Sequence, residues 1–405
     1  MSNSYRDIPL IVKLGLFDIV RGVNTDVESA SNNKIITPAE AAIVLAEDEL
    51  KKLMEEYECL DLTPAQISEY IEEEVIGQTE AVRKVVHVAY YNQMANLMHE
   101  LGMDAPKRSN LLLIGPTGCG KTSCINALKK YFKVPIAKYS ADSITSAGYI
   151  GNKVEDILIR LFEESGRNLS LAERGIIYID EFDKKAEQAT NSGKDINGRA
   201  VQEELLKILE PNRIDLTLSD KTRVPFDTSR LTVILGGAFV GLDEIRRKRL
   251  CKNSVGFKTN AHELSEEELM AAGYIPEDLI KFGFIPEIVG RIFMFAELRA
   301  LKPEDIIKIM FEGKNSPYIE KSRFLANVLN VEQMISKKFL EKVAENLINT
   351  KTYARDLEAK MTMIFYPLIQ IAFEHRNEYG ICHIYEDGDY SLEYDTVTYY
   401  GEVTA

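Results

Sequence analysis

The sequence predicts an α/β fold: a mostly parallel sheet covered by helices on both faces, followed by a mainly helical second unit with one late strand. Three observations predict it. Short, largely apolar runs recur at Asn110–Ile114, Val134–Lys138, Gly175–Ile179 and Leu231–Leu235, the pattern of strands buried on both sides. Between them lie segments with one apolar face. Val154, Ile157, Leu158, Leu161 and Phe162 fall at i, i+3, i+4, i+7 and i+8, and Val201, Leu205, Ile208 and Leu209 repeat the device before Pro211 ends the run. Strands that alternate with such helices form parallel sheets. After about Leu301 the apolar runs fade; helices are expected near 303–312, 332–348 and 355–375, with "GICHIYE" (Gly380–Glu386) as the late strand.

Ahead of the first strand, residues 1–36 join an apolar segment, Ile8–Val20, to a polar one. Lys13 and Asp18 interrupt the apolar segment, and it has neither a basic start nor a small-residue cleavage site, so it does not read as a signal peptide. Thr37-Pro38-Ala39-Glu40 is a capping box with proline at the first helical position. It opens a helix to about Tyr57. Thr63-Pro64-Ala65-Gln66 repeats the device, which places a boundary near residue 60. The expected organisation is therefore an N-terminal domain of undetermined fold over 1–60, a large α/β domain over 61–300 and a small domain over 301–386. The Tyr- and Asp-rich stretch 387–405 is expected as a partly disordered tail.

The bulk chemistry narrows the function. The 405 residues are 45% hydrophobic and 28% charged, the profile of a soluble globular chain of two or three domains. A net charge of −14 argues against nucleic acid as partner. No run approaches the roughly 20 apolar residues of a membrane span, so no membrane association is expected. Five cysteines (59, 119, 124, 251 and 382) form no C-x-x-C pair. A disulfide framework and a zinc ribbon are both disfavoured, and a reducing, cytoplasmic setting is expected.

Two motifs carry chemistry. "GPTGCGKT" (Gly115–Thr122) fits G-x4-G-K-S/T between a strand and a helix, the context that makes this pattern specific for nucleotide phosphates. Gly115, Gly118 and Gly120 let backbone N–H groups wrap phosphates at a helix N-terminus. Pro116, Thr117, Cys119 and Ser123 belong to the same ATP-binding turn. Lys121 neutralises the β- and γ-phosphates, and the Thr122 hydroxyl ligates Mg2+. In "GIIYIDEFDK" (Gly175–Lys184) a buried strand delivers Asp180 and Glu181 at its C-terminal end, where ligands of open α/β sheets bind. Asp180 is the second expected magnesium ligand. Glu181 is placed to polarise the attacking water as general base. A third stretch, "SAGYIGNKV" (Ser146–Val154), sets Tyr149 and Ile150 between Gly148 and Gly151. Its glycines permit either a tight buried turn or a mobile loop carrying an exposed aromatic.

The order of these and further segments resembles the ClpX family, the AAA+ unfoldases of the Clp protease. The segments are "VIGQTEAV" (Val75–Val82), "SNLLLIGPTGCGKT" (Ser109–Thr122), "AGYIGNKVEDI" (Ala147–Ile157), "RGIIYIDEFDK" (Arg174–Lys184), "GGAFVGLDEI" (Gly236–Ile245) and "PEDLIKFGFIPEIVGRI" (Pro276–Ile292). The resemblance spans roughly 63–375. It implies an AAA+ P-loop NTPase large domain, a helical small domain, and ATP hydrolysis with Mg2+ in a homo-hexamer. It further implies that Val75 and Ile76 pack on adenine and that Arg291 reaches a neighbouring subunit's nucleotide. By the same resemblance Arg355 is the sensor-2 arginine, and Gly148, Tyr149, Ile150 and Gly151 form a pore loop gripping protein substrates. Glu187–Ala200 takes the place of a second pore loop. Val255-Gly256-Phe257 stands where the family carries the tripeptide that docks on a ClpP-type peptidase; a core-facing apolar pair is the equal alternative.

The chain also departs from the family. Only Cys59 precedes Cys119, so the family's four-cysteine zinc domain is not expected over 1–60. The basic Arg-Lys-His pore-entrance loop is missing, and Asn212–Phe226 is shorter. Tyr353 and Asp356 replace glycines around Arg355, and Asp356 is positioned to compete for it. Gly236-Gly237 leaves the strand end after Leu235 without a polar sensor-1 side chain. The reading is an ATP-dependent protein unfoldase and translocase. Its rivals are a remodelling chaperone without a peptidase and a nucleic-acid-directed motor.

Overall fold

In the computed structural model the described residues are 52–404, apart from 54, 102, 145–152, 188, 191–192, 195, 253–264 and 315. The helix expected from Thr37 up to residue 51, most of the N-terminal unit, Gly148–Gly151 and Val255–Phe257 lie outside them.

Five parallel strands form the central sheet: β1 (Asn110–Ile114), β2 (Ile136–Ser140), β3 (Ile176–Asp180), β4 (Thr232–Gly237) and β5 (Ile292–Glu297), in the order β2-β3-β4-β1-β5. After β1 the chain passes β4 and β3 to reach the sheet edge, so β1 leaves beside a topological switch point, where open α/β sheets bind ligands. Every β1 residue is buried. Alternation along the strands divides the core. Leu111, Leu113, Tyr178 and Ile234 face one side, and Leu112, Ile114, Ile177 and Ile179 the other. Helices α1 (Pro64–Glu72), α2 (Thr79–Glu100) and α3 (Lys121–Phe132) cover the first side; α4 (Val154–Glu164) and α5 (Ile196–Leu209) cover the second. The capping box at Thr63 is formed in both directions, and α4 buries the five residues its periodicity marks.

The first core continues into the small unit of α6 (Pro303–Glu312), α7 (Pro317–Leu329), α8 (Lys337–Asn349) and α9 (Leu357–Glu374), through Leu325, Phe339 and Phe365. A four-stranded sheet completes it: β6 (Val331–Ile335), β7 (Gly380–Ile384), β8 (Asp389–Glu393) and β9 (Thr398–Glu402), with β6 parallel to β7 and the rest antiparallel.

Four expectations are corrected. The tail 387–405 is not disordered over 389–402: an Asp387-Gly388 turn, with Gly388 at φ +101, starts a hairpin that buries Tyr390, Ser391, Leu392 and Tyr394. The helix expected over 332–348 begins as strand β6 and becomes helical at Lys337. The strand expected at Val134 starts at Ile136, because Pro135 has no N–H to give the ladder. The boundary near 60 falls inside a packed segment: Tyr57, Cys59 and Leu60 are buried, and the buried Arg174 stacks 4.5 Å over the Tyr57 ring and pairs with Glu56 at 2.7 Å.

Candidate nucleotide site

The glycines of Gly115–Gly120 are set by close approaches and backbone conformation. A Cβ at Gly115 would lie 2.7 Å from the Leu298 Cβ, and one at Gly118 would lie 2.3 Å from the Thr352 carbonyl oxygen. Gly118 and Gly120 adopt φ +83 and +102, and Gly120 is the N-cap of α3. The loop thus turns tightly between β1 and α3, with the small unit seated directly on it. Lys121, the first residue of α3, is buried; its Nζ donates to the carbonyls of Gly115 (2.6 Å) and Pro116 (3.0 Å). Burial lowers its pKa, and the Asp180 carboxylate opposes that shift.

Two adjoining cavities open here between the large and small units. One, of about 320 Å3, is lined by Thr117, Gly118, Lys121, Thr122, Asp180, Glu181, Asp183 and Arg355. The other, of about 290 Å3, is lined by Val75, Ile76, Cys119, Leu301, Pro317 and Leu357. Gly120 and Ser123 line both. The expected phosphate-loop residues, the Asp-Glu pair, the adenine segment and Arg355 therefore meet in one cleft. Asp356 does not occupy Arg355, whose guanidinium makes no salt bridge among the described residues.

Asp180 ends β3, and Glu181 follows in a left-handed conformation at φ +57 that turns its side chain into the cleft. The Glu181 N–H donates to Asp180 Oδ1 at 2.8 Å. Glu181 Oε2 accepts from the Ser140 hydroxyl at 2.8 Å and lies 3.2 Å from Lys184 Nζ. Those bonds favour the charged carboxylate and hold Glu181 below the usual glutamate range.

Sequence reasoning missed several residues. Ser140 stands level with Asp180 in the β2–β3 register; the misplaced start of β2 hid it. Asp183 fills the space above Gly237, where a Cβ would come 2.4 Å from its Oδ1, and its Oδ2 accepts the Phe239 N–H. The glycine there is thus matched to a carboxylate from the turn that follows the neighbouring strand β3. Buried Gln78 donates to the carbonyls of Cys119 (3.1 Å) and Arg299 (2.9 Å), tying the Val75-Ile76 segment to the phosphate loop and to the link into the small unit.

Arg291 is not brought to this cleft. It precedes β5 at the opposite end of the sheet, where Asn110 pairs with Ile292. Its Nε and Nη2 donate to Glu210 Oε1 at 3.0 and 2.6 Å.

The family profile described as AAA domain (Cdc48 subfamily) matches residues 106–294, which contain the phosphate loop, both carboxylates and Arg291. The ATP-dependent Clp protease ATP-binding subunit ClpX of Treponema denticola is 37% identical over 309 residues, covering 73% of this chain and 74% of that protein. The protein of the same name from Borrelia duttonii is 36% identical, covering 73% and 71%. The chain belongs to the ClpX family of AAA+ proteins. As a ClpX-family member it is an ATPase and an ATP-dependent chaperone of the Clp type. No helix among its described residues is long and apolar enough to cross a membrane.

Proposed function

We propose that this ClpX-family chain unfolds proteins and threads them through the pore of a homo-hexameric ring, in the cytoplasm, for delivery to a ClpP-type peptidase. The observation that carries the ring is the separation of Arg291 from the cleft of its own chain. An arginine finger at that edge serves a neighbour's nucleotide, which requires heterologous, ring-closing contacts. Phe293, 58% exposed two residues further on, gives that edge an apolar contact.

Within the cleft, Val75 and Ile76 pack on adenine. The loop N–H groups of Gly118–Thr122 and the Lys121 ammonium take the phosphates in place of the Gly115 and Pro116 carbonyls. The Thr122 hydroxyl and Asp180 carboxylate are hard oxygen donors facing one cavity, the set that suits Mg2+, and they would hold it against the phosphates. Bound there, the ion would neutralise phosphate charge. Glu181 accepts the proton of the attacking water, and Arg355 reports the phosphate state to the small unit. Because hydrogen bonds depress its pKa, Glu181 stays ionised above a pH lower than the ordinary glutamate value, and turnover is lost as pH falls through that value. Ser140→Ala removes the leading bond and is expected to move the acid limb of the rate profile upward; an unmoved limb would detach Ser140 from the base.

Tyr149, with Ile150 between Gly148 and Gly151, is proposed to grip the substrate by contact area rather than by sequence. Tyr149→Ala is expected to keep ATPase activity and lose unfolding of a tagged fluorescent protein; retained unfolding refutes the grip. The same assay with and without a ClpP-type peptidase separates delivery through Val255-Gly256-Phe257 from remodelling without a peptidase.

A further inference from the structure

Tyr178 sits two residues before Asp180 on β3 and on the same face of the strand, so both side chains point toward α3. It is 1% exposed and packs in the core formed by Leu111, Leu113, Cys124 and Ile234. Its ring occupies a slot that β4 leaves open by carrying glycine: a Cβ at Gly236 would lie 2.5 Å from the Tyr178 hydroxyl and 2.7 Å from its Cε2. Among the described residues the hydroxyl completes no hydrogen bond of normal geometry, and the hydrogen-bonding side chains near enough to act on it are Asp180 and Thr122. A buried hydroxyl without a partner is costly. A phenylalanine would fill the same slot without that cost. The donor is therefore held beneath the two groups assigned to magnesium, where a partner is supplied once those groups are fixed.

We infer that Tyr178 is a positioning residue for the metal-nucleotide complex: its O–H orients the Asp180 carboxylate and the Thr122 hydroxyl from below, and Gly236 is glycine to admit it. This rests on the cleft being the Mg2+-nucleotide site proposed above. Outer-shell hydrogen bonds of this kind orient the ligands that touch a metal, and losing one typically lowers metal affinity about 10- to 100-fold.

The test uses the full chain and a fluorescent ADP. Binding is followed in EDTA and then as Mg2+ is added. Tyr178→Phe is expected to match the wild type in EDTA and in its unfolding midpoint without metal, or to unfold slightly later, while its half-saturating Mg2+ concentration rises about 10-fold or more. Gly236→Ala, which keeps the hydroxyl but displaces it, is expected to raise the Mg2+ requirement as well. A purely packing role would move the unfolding midpoint and leave the Mg2+ titration where it was, and that result overturns the inference. If ADP binding by the wild type ignores Mg2+, the site reading itself falls and takes this inference with it. If the wild type depends on Mg2+ and both variants titrate identically to it, the inference alone falls.

Discussion

Glu181→Gln is expected to bind ATP as tightly as the wild type and to hydrolyse it about 10^2- to 10^4-fold more slowly. The two halves of this expectation have separate structural causes. Binding is retained because the Glu181 carboxylate bonds to Ser140 and Lys184, which lie outside the phosphate loop. A glutamine carbonyl oxygen accepts both of those bonds at the same place, so the left-handed turn at φ +57 and the end of β3 keep their shape. Turnover is lost because an amide oxygen cannot take a proton from water. Equilibrium binding of ATP and single-turnover hydrolysis on the same preparation check the pair of outcomes. Turnover near the wild-type rate would remove Glu181 from the chemistry and leave it a partner of Lys184.

Much of that site was legible in the sequence, and the part that was not has a common cause. The phosphate loop and the Asp180-Glu181 pair are local: backbone conformation and spacing alone bring their groups together. Val75, Ile76 and Arg355 are distant in sequence and were reached through family resemblance; the structure puts them on the same cleft. Ser140, Asp183 and Tyr178 depend on register and on which glycine faces which side chain across strands. A shift of two residues in β2, forced by Pro135, was enough to conceal Ser140. The gap seen at Gly236-Gly237 shows why side-by-side strands must be read together, since Tyr178 and Asp183 occupy the space those glycines free. In the small unit the signals were present but underweighted. Ser316-Pro317 is a helix start that caps α7, with the Ser316 hydroxyl accepting the Ile319 N–H. Asp387-Gly388 between alternating apolar residues is a hairpin signal that the Tyr- and Asp-rich composition masked.

Arg291→Ala is expected to keep ATP binding and to lower turnover about 10^3- to 10^5-fold, the effect of losing an arginine finger. The proposal that the affected nucleotide is a neighbour's has a geometric basis. Arg291 lies at the end of the sheet where β1 begins, whereas the phosphate loop leaves β1 at its other end, five residues or roughly 16 Å away. Its own cleft is therefore beyond a side chain's reach, which is why a neighbour's cleft is the target proposed for it. Within the chain the guanidinium rests on Glu210, and both partners are about half exposed. Exposed pairs of this kind contribute about 0–1 kcal/mol, so the contact holds the finger in place without competing seriously with a phosphate. Glu210→Gln is accordingly expected to change turnover by no more than a few-fold. The decisive measurement mixes two inactive variants. Arg291→Ala subunits retain Glu181, and Glu181→Gln subunits retain Arg291. Where a Glu181→Gln subunit presents its finger to an Arg291→Ala neighbour, one complete site is assembled from two chains, and hydrolysis returns in the mixture. A mixture as inactive as its components would mean that Arg291 does not act across the interface, and the ring reading would lose the observation that carries it.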